Sequence, residues 1–318
     1  SSDVCSSDLE YIVDVLKSQT DNIAKEDAYT LALFAQDEIK LLRNLQALIG
    51  VRYIYHENFK NHATPNVALM YKPGKFNFRA SYAAGFRTPT LSELYATDIA
   101  KKNDRLTIGN LDLKSEKNNY FSLSAEYVHE RFSVSVNAFY NNIRDMIDYN
   151  TIATGDKAME QYGHKEVRQR DNIAEAKVHG INVSANAYLG AGFNLSGGYT
   201  HLNTQDVELE QPIDKSIKNA YNINAQWAHS WKIYRLNINL NGRINSKRFS
   251  KSYGYAPEYQ LWNLNTRHSF NLKSVIIEPG CGMENLFDYM DDRPYNSNYA
   301  TLTPGRSFYI SLSLKFKS

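Results

Sequence analysis

The chain has 318 residues, which is enough for one large domain or two ordinary ones. Its 36 basic and 34 acidic residues give a net charge of +2 with no block of like charge, so nothing indicates a nucleic-acid partner. It contains 23 tyrosines and 3 tryptophans, yet its mean hydropathy is −0.52. These values fit either a polar soluble β protein or a transmembrane β-barrel, whose polar interior keeps the average low.

Residues 1–25 show no clear strand or helix pattern, and the first nine (SSDVCSSDL) contain neither an initiator Met nor a signal peptide. We therefore predict a non-native or poorly structured leader of a truncated chain, with the fold beginning at residue 26. Cys5 in this leader and the distant Cys281 are the only cysteines. They allow one disulfide, but they indicate neither a disulfide framework nor a metal site.

From about Ala28 onward, apolar and polar residues alternate with a period of two, which is typical of strands with two different faces. In residues 236–244 (LNINLNGRI), for example, leucine and isoleucine alternate with asparagine and arginine. The same pattern recurs in residues 121–127, 132–140, 193–199, 221–227 and 308–316. No apolar run approaches the roughly 20 residues that a membrane helix needs. Contact with a bilayer would therefore require a closed β-barrel.

The connections between these strands alternate between short turns and long loops. The predicted short turns are residues 72–75, 129–131, 189–192, 229–232 and 271–274, and the predicted long loops are residues 88–116, 150–165, 205–217, 246–258 and 289–305. Outer-membrane barrels have this asymmetry, with the short turns in the periplasm. We count about 13 strands, taking residues 166–188 as one strand to preserve the alternation. Because single-chain bacterial barrels have even strand numbers, this odd count predicts a missing N-terminal strand.

Four segments resemble the signature motifs of TonB-dependent receptors, in the right order and spacing. They are FRTPTLSELY at residues 86–95, GNLDLKSE at 109–116, ENLFD at 284–288 and a Pro-Gly-Arg-x-Phe segment from residue 304. The residues that carry the motifs are Phe86, Arg87, Pro89, Glu93, Leu94, Asn285, Leu286, Phe287, Asp288, Pro304, Gly305 and Arg306. The resemblance also implies that Phe316 is the terminal aromatic of the assembly signal, although Lys317 and Ser318 follow it here.

The resemblance implies an all-β protein, a transmembrane antiparallel β-barrel of about 22 strands closed by an N-terminal plug. Residues 26–318 would form its C-terminal strands, without the plug. Such receptors lie in the outer membrane of Gram-negative bacteria and import scarce ligands such as siderophores, cobalamin or haem. The implied partners are outer-membrane lipid, a metal chelate or similar small ligand, and the TonB complex through the missing N-terminal region. The resemblance implies no cofactor and no enzymatic activity.

Five residues are candidates for ligand binding, and each also has a structural interpretation: Arg87, Tyr95, His56, His62 and Arg243. An arginine such as Arg87 can fork onto a carboxylate, but we favour a structural role in which Arg87 and Glu93 organise the junction between a strand and a loop and Pro89 stiffens it. The two histidines could bind a metal or haem iron, but no cysteine or carboxylate cluster accompanies them, so we favour exposed polar histidines. The resemblance implies that a haem receptor often carries a histidine between the two central motifs, and residues 88–108 contain none, so haem is less favoured than other ligands.

The acidic segment DYMDDR could bind Ca²⁺ through Asp288, Asp291 and Asp292, next to Arg293. Its spacing does not match an EF-hand, so we favour a solvated loop and predict no metal site. We find no phosphate loop and no nucleophile elbow. The sequence therefore predicts a TonB-energised importer of a siderophore, cobalamin or similar chelate. The alternatives are a passive porin-like channel, a haem receptor of the same family, or a soluble β-rich domain.

Overall fold

The computed structural model describes residues 4–18, 23–173, 175–250, 254–291 and 303–317. These ranges contain 20 strands and two short helices. The first half of the chain forms β1 (Val4–Ser18), β2 (Ile23–Leu42), β3 (Leu45–His56), β4 (Lys60–Tyr71), β5 (Phe76–Arg87), α1 (Leu91–Tyr95), β6 (Thr97–Ala100), β7 (Arg105–Ile108), β8 (Glu116–Val128), β9 (Phe132–Arg144) and β10 (Met146–Thr154). The second half forms α2 (Gly155–Tyr162), β11 (Glu166–Ile173), β12 (Ala176–Gly190), β13 (Phe193–Asp206), β14 (Asn219–Trp231), β15 (Tyr234–Asn245), β16 (Arg248–Ser250), β17 (Gly254–Ala256), β18 (Tyr259–Asn271), β19 (Val275–Glu284) and β20 (Ser307–Phe316).

Fourteen strands form one antiparallel sheet in which each strand pairs with the next member along the chain. The order is β1-β2-β3-β4-β5-β8-β9-β12-β13-β14-β15-β18-β19-β20. In the described residues β1 and β20 are its two edges, so the sheet is open. The predicted all-β, antiparallel architecture is confirmed. In the part of the chain that the structure describes, no helix is long and apolar enough to cross a bilayer.

The alternation in the sequence sorts the side chains of this sheet onto an apolar face and a polar face. Across β14 and β15, Trp227 lies opposite Ile238 on the apolar face, and Asn224 lies opposite Asn241 on the polar face. Much of the apolar face is not covered by other parts of the described chain. At the β20 edge, for example, Ile310 is 88% exposed. A single-layer sheet with one bare apolar face is what a barrel wall in contact with lipid requires.

The hairpins of this sheet give it two unlike rims. The short-turn rim carries the connections 43–44, 72–75, 129–131, 191–192, 232–233 and 272–274. The long-loop rim carries the connections 88–115, 145–175, 207–218, 246–258 and 285–306. The predicted asymmetry is therefore present from β4 onward, whereas the β3–β4 connection at 57–59 is short although it lies on the long-loop rim.

Two long loops together build a second sheet of order β10-β11-β7-β6. Its central pairing is parallel and joins Glu166 of β11 to Arg105 of β7. Val167 in β11 is fully buried. The prediction of one strand over residues 166–188 is therefore wrong, because β11 belongs to this second sheet and β12 to the main one. The alternation of short turns and long loops favoured a single strand here. It could not specify which strands the two halves of this segment pair with.

The structure also corrects the prediction for the N-terminal segment. Instead of a poorly structured leader, residues 4–18 form β1, which pairs with β2 so that Leu9 lies opposite Leu33. Exposed apolar side chains alternate along it at Leu9, Tyr11, Val13 and Val15. With β1 the main sheet has 14 strands rather than about 13. The odd count was the basis for predicting a missing strand, so that argument no longer holds.

Candidate functional site

The first motif forms a polar junction between the end of β5 and α1. Thr90 is the N-cap of α1, and its Oγ1 accepts a hydrogen bond from Glu93 N at 3.2 Å. In return Thr90 N donates to Glu93 Oε2 at 2.9 Å, which completes a capping box. Arg87, the last residue of β5, donates from Nη1 to the same Glu93 oxygen at 2.8 Å. Strand end and helix start are thereby tied through one carboxylate.

A second carboxylate extends this junction to the next strand of the main sheet. Arg87 donates from Nε to Glu116 Oε2 at 2.8 Å and from Nη2 to Glu116 Oε1 at 2.6 Å, the forked geometry typical of arginine on a carboxylate. Glu116 also accepts from Ile147 N at 2.8 Å. We call Arg87, Thr90, Glu93 and Glu116 the junction. It links β5, α1, β8 and β10 at the long-loop rim.

The electrostatics of the junction favour the charged forms of its side chains. Burial raises the pKa of Glu93, but hydrogen bonds from Arg87 and Thr90 outweigh that effect and hold the pKa below its ordinary value. The hydrogen bonds from Arg87 to Glu116 and Glu93 likewise raise the pKa of the Arg87 guanidinium. Two carboxylates around one guanidinium leave the junction with a formal charge of −1. The ligand-binding role of Arg87 stays a prediction.

Beside the junction lies the main hydrophobic cluster of the described residues. Leu94, Leu113 and Ile147 are buried together, and Phe59 and Tyr95 pack against them. Leu94 therefore packs α1 against Leu113 of the 88–115 loop and Ile147 of β10. Tyr95 contributes packing here, and its predicted role in ligand binding is untested.

Two further contacts join loops on the long-loop rim. The Asn172 side chain accepts from Lys114 N at 2.7 Å and donates to the carbonyl oxygens of Lys114 at 3.0 Å and Asp145 at 2.6 Å. His164 Nδ1 lies 2.9 Å from Asp104 Oδ1. The hydrogen bond with this imidazole lowers the pKa of Asp104. Neither contact was predicted, because Lys114 and Asn172 are 58 residues apart and Asp104 and His164 are 60 apart.

The candidate histidines His56 and His62 flank the β3–β4 turn. His56 is 5% exposed, so the expectation of an exposed side chain is wrong for this residue, and its Nδ1 accepts from Asn58 N at 3.1 Å. His62 Nε2 lies 3.1 Å from Phe59 O, and its ring stacks on Phe86 with centroids 4.2 Å apart. Each imidazole thus has a ring nitrogen at hydrogen-bonding distance from its own turn. Within the described residues no three His, Cys, Asp or Glu side chains come together as a metal site would require.

Arg243 lies on the polar face of β15, opposite Asn222 of β14 and Leu261 of β18. It is exposed and has no ion pair among the described residues. It lines an open polar hollow together with asparagines of β12, β14, β15 and β18. Two of these asparagines share a partner beside the hollow, since Asn239 Oδ1 accepts from Asn224 at 3.1 Å and from Asn241 at 2.7 Å. An arginine among primary amides offers many donors to an anionic or oxygen-rich ligand.

The last two motifs meet at a corner after β19. Asn285 is 5% exposed and has a left-handed backbone with φ of 51°. Its side chain donates to Tyr289 O at 2.7 Å and Pro304 O at 3.1 Å, and accepts from Tyr289 N at 2.9 Å. Asp288 Oδ1 accepts from Arg306 N at 2.6 Å. The asparagine and aspartate of one motif thus hold the Pro-Gly-Arg segment of the other.

The remaining motif residues complete this corner or flank it. Leu286 N donates to Trp262 O at 2.7 Å, and the Phe287 ring lies edge-on to Trp262 with centroids 6.3 Å apart. A Cβ added to Gly305 would lie 3.1 Å from Asp288 Oδ1, a close approach that favours glycine. Phe316 is 80% exposed, at the end of β20.

The acidic segment and the two cysteines are the remaining residues that the sequence analysis singled out. Asp291 lies at the end of a described range, while Asp292 and Arg293 lie outside the described residues, so the preference for a solvated loop over a Ca²⁺ site stays a prediction. Cys281 is a free, exposed thiol whose Sγ lies 3.2 Å from Thr266 Oγ1. The side chain of Cys5 is also outside what the structure describes.

Sequence reasoning identified Arg87, Glu93 and Asn285 but gave no role to Glu116 or Thr90. Glu116 is the last residue of the second motif and ends a predicted long loop. This position could have indicated its role at the loop end. The spacing from Thr90 to Glu93 is that of a capping box, which the sequence also contains. Both signals become specific only once the two loop ends are known to lie side by side.

Comparison with known proteins places the chain in a family. The family model described as TonB dependent receptor-like, beta-barrel matches residues 6–286. A ferric enterobactin receptor from Pseudomonas aeruginosa is 23% identical, and the match covers 92% of this chain and 43% of that receptor.

Solved structures show the same fold at low identity. The ferric enterobactin receptor of Pseudomonas aeruginosa, solved as a Q482A mutant with enterobactin, superposes with a TM-score of 0.79 at 19% identity, covering 98% of this chain and 52% of that one. The siderophore receptor PirA from Acinetobacter baumannii gives a TM-score of 0.77 at 16% identity, covering 99% of this chain and 52% of that one. The chain thus spans about half the length of these relatives. On the family match, this chain belongs to the TonB-dependent receptor β-barrel family.

Proposed function

We propose that this chain forms part of the barrel of an outer-membrane receptor that imports a ferric siderophore with energy from the TonB complex. The observation that carries the proposal is the family match over residues 6–286, together with relatives that are named as ferric enterobactin and siderophore receptors. The family and these relatives are receptors rather than enzymes. The plug, the TonB contact and the import activity belong to the proposal, because the chain spans about half of those relatives.

The two faces of the main sheet support a membrane location. An uncovered apolar face and an asparagine-rich polar face are the features of a strand wall between lipid and a polar lumen. In a closed barrel, Arg243 and the amides around it would line the passage. Ferric siderophores present several oxygen ligands around the metal and are commonly anionic, so a lone guanidinium among amide donors suits them.

The experiment is iron uptake by the intact protein in its own organism under iron limitation. We expect deletion of the gene to abolish uptake of at least one radiolabelled ferric siderophore, and complementation to restore it. The panel includes ferric enterobactin, a hydroxamate siderophore, cobalamin and haem. Deletion of tonB in the complemented strain should abolish the same uptake. Uptake of every ligand that is unchanged by loss of the gene would contradict the proposal.

The same strains separate the alternative functions. A passive porin-like channel would admit small solutes in the tonB deletion as readily as in the parent strain. A haem or cobalamin receptor would keep the TonB requirement but respond to a different member of the panel. A soluble domain would be recovered outside the membrane fraction and would not change its gel mobility on heating.

A matched pair of variants tests the polar face. Arg243→Gln removes the charge from the polar hollow, and Arg79→Gln removes one near the start of β5, where Arg79 Nη2 contacts the Met70 sulfur at 3.5 Å. If Arg243 binds an anionic ligand, the first variant raises the KM for uptake at least about fivefold, equivalent to the loss of about 1 kcal/mol. The second should leave KM unchanged. Equal effects of both would mean that Arg243 has no specific role.

A further inference from the structure

We propose that the short-turn rim binds the phosphate headgroups of anionic phospholipids, through basic side chains placed just beyond a belt of exposed aromatic rings. The inference rests on the membrane location in the proposed function and adds a lipid preference that the family match does not supply. The partner is a diacyl phospholipid with a net negative headgroup, in the leaflet that meets the short turns.

The charges of the short-turn rim are strongly one-sided. Its six turns contain six basic residues and a single acidic one, Glu130, although the whole chain has a net charge of only +2. The basic residues are Arg43, Lys72, Lys75, Arg131, Lys232 and Lys273, and all six are exposed. Among the described residues none of them forms an ion pair. Their charge therefore remains available to a partner outside the protein.

Backbone hydrogen bonds hold these turns side by side around the rim. Lys72 N donates to Asn44 O at 2.8 Å, and Asn271 N donates to Ile233 O at 2.7 Å, so each turn is bonded to the neighbouring hairpin. At the edge, Lys317 Nζ donates to Leu272 O at 2.8 Å and adds a seventh cation. Successive turns are two strands apart, or about 10 Å, because neighbouring strands are about 4.8 Å apart. That spacing is close to the Debye length at physiological salt, so the potentials of adjacent turns overlap.

An aromatic belt lies directly inside these turns, on the apolar face of the sheet. The Trp231 and Tyr234 rings are 5.4 Å apart, and Tyr234 and Phe270 are 5.0 Å apart, beside the turns that carry Lys232 and Lys273. Further along the rim, Phe76 and Tyr127 are 4.9 Å apart, beside the turns of Lys75 and Arg131. Aromatic rings of this kind sit at headgroup level in membranes. The lysines and arginines one step beyond them are therefore at phosphate height.

This combination favours lipid over a soluble anion or an acidic protein. The cations are spread one or two to a turn rather than gathered into one pocket, and several of these turns are flanked by exposed apolar rings. A bilayer presents phosphates above acyl chains with the same two-level arrangement. Near a membrane surface basic residues attract anionic lipid. Several such charges acting together enrich anionic over zwitterionic lipid around the rim.

The test uses tryptophan fluorescence, because two of the three tryptophans, Trp227 and Trp231, lie in or near the belt. The full-length protein is reconstituted into phosphatidylcholine vesicles that contain brominated phosphatidylglycerol or brominated phosphatidylcholine at equal fractions. Brominated acyl chains quench tryptophan at short range, so the ratio of the two quenching curves gives the relative lipid binding constant. We expect binding of the anionic lipid to be at least about threefold stronger, because several basic residues attract it together.

The paired variants are Lys232→Gln with Lys273→Gln, and as a control Lys218→Gln with Lys247→Gln on the long-loop rim. Both pairs remove two exposed lysines. We expect the first pair and 0.5 M NaCl each to bring the lipid ratio close to one, while the control pair preserves it. Heat-modifiable gel mobility establishes that each variant is folded.

Two kinds of result would overturn the inference, and only the second would also overturn the proposed function. Equal quenching by the two lipids in the unaltered protein, or a preference that survives in the Lys232 and Lys273 variant, rejects the lipid preference and leaves the proposed importer intact. Absence of quenching by either lipid rejects the membrane location, and with it both the inference and the proposed function.

Discussion

The two rims of the main sheet achieve order in opposite ways. On the short-turn rim, backbone hydrogen bonds link each hairpin to the next, and the basic side chains of the turns form no ion pairs among the described residues. On the long-loop rim, side-chain contacts add to the backbone pairing of β7 with β11, with Arg87 between two carboxylates and Asn172 bridging two backbone segments. Turn length explains the difference, because a two-residue turn is fixed by its strands whereas a long loop needs contacts of its own.

The largest expected effect tests the apolar face that both rims border. Ile238→Arg should lower the free energy of unfolding by roughly 2–4 kcal/mol, because a charge near the middle of the lipid-facing band loses its hydration. The neighbouring Asn237→Arg, which points to the polar face, should change it much less. Urea unfolding from vesicles measures both. Normal insertion of Ile238→Arg and of Leu312→Arg would refute the assignment of the apolar face.

The corner at Asn285 gives the next largest effect. Asn285→Ala removes three side-chain hydrogen bonds and places alanine in a left-handed conformation, so we expect a loss of about 2–3 kcal/mol. Asn237→Ala is the control, since its side chain accepts only a 3.3 Å bond from Gln226. The measurements are urea unfolding and protease cleavage of the 285–306 connection. Equal stability of the two variants would mean that the corner does not order this loop.

Breaking the junction should have a smaller effect on stability and a clear effect on loop order. Arg87→Gln leaves Glu93 and Glu116 as unneutralised neighbours, with an expected loss of about 1–2 kcal/mol after allowance for the partial exposure of the guanidinium. Arg168→Gln breaks a single contact to Glu166 and should cost less than about 0.5 kcal/mol. Hydrogen exchange of α1 distinguishes them, because only the first variant should speed exchange there.

Acid should loosen the junction with the smallest effect of the four. The pKa of Glu93 is lowered in the folded protein, so its stabilising contribution is fully present above the ordinary value of 4.5 and is lost as the pH falls through the folded pKa. We expect hydrogen exchange of α1, corrected for the intrinsic rate, to increase below about pH 4.5. Glu93→Gln should flatten this dependence. A pH profile that is the same in both proteins would remove Glu93 as its cause.

Much of the main sheet could be predicted because its pattern is local. Alternation marked the strands, and loop lengths marked the rims, so the register of β14 and β15 follows from residues 219–245 alone. What the sequence could not specify were pairings between distant segments. The alternation of short turns and long loops predicted one strand over residues 166–188, yet their first half pairs with β7 and β10 and their second half with β9 and β13. Likewise, residues 4–18 of the predicted leader form β1 because they pair with the backbone of β2.

The candidate site was predictable in its residues but not in its contacts. The motifs pointed to Arg87 and Asn285, because both residues lie in segments that resemble the family signatures. Glu116 and Asn172 gained their roles only from loop ends that approach each other in three dimensions. The basic charge of the short-turn rim was equally hard to predict. Each basic turn contributes only one or two charges, and the pattern is recognised only when the turns are known to lie on one rim.

The parallel pairing of β7 with β11 has a consequence for the order of folding. Residues 105–108 and 166–169 are separated by β8, β9 and β10, so this pairing closes a loop of some 60 residues. The β8–β9 hairpin closes a far shorter loop and, once formed, brings the two segments to the same end of the sheet. High contact order slows such a step. The second sheet should therefore assemble late, after the strand wall beneath it, and its loops remain open to solvent while the wall is forming.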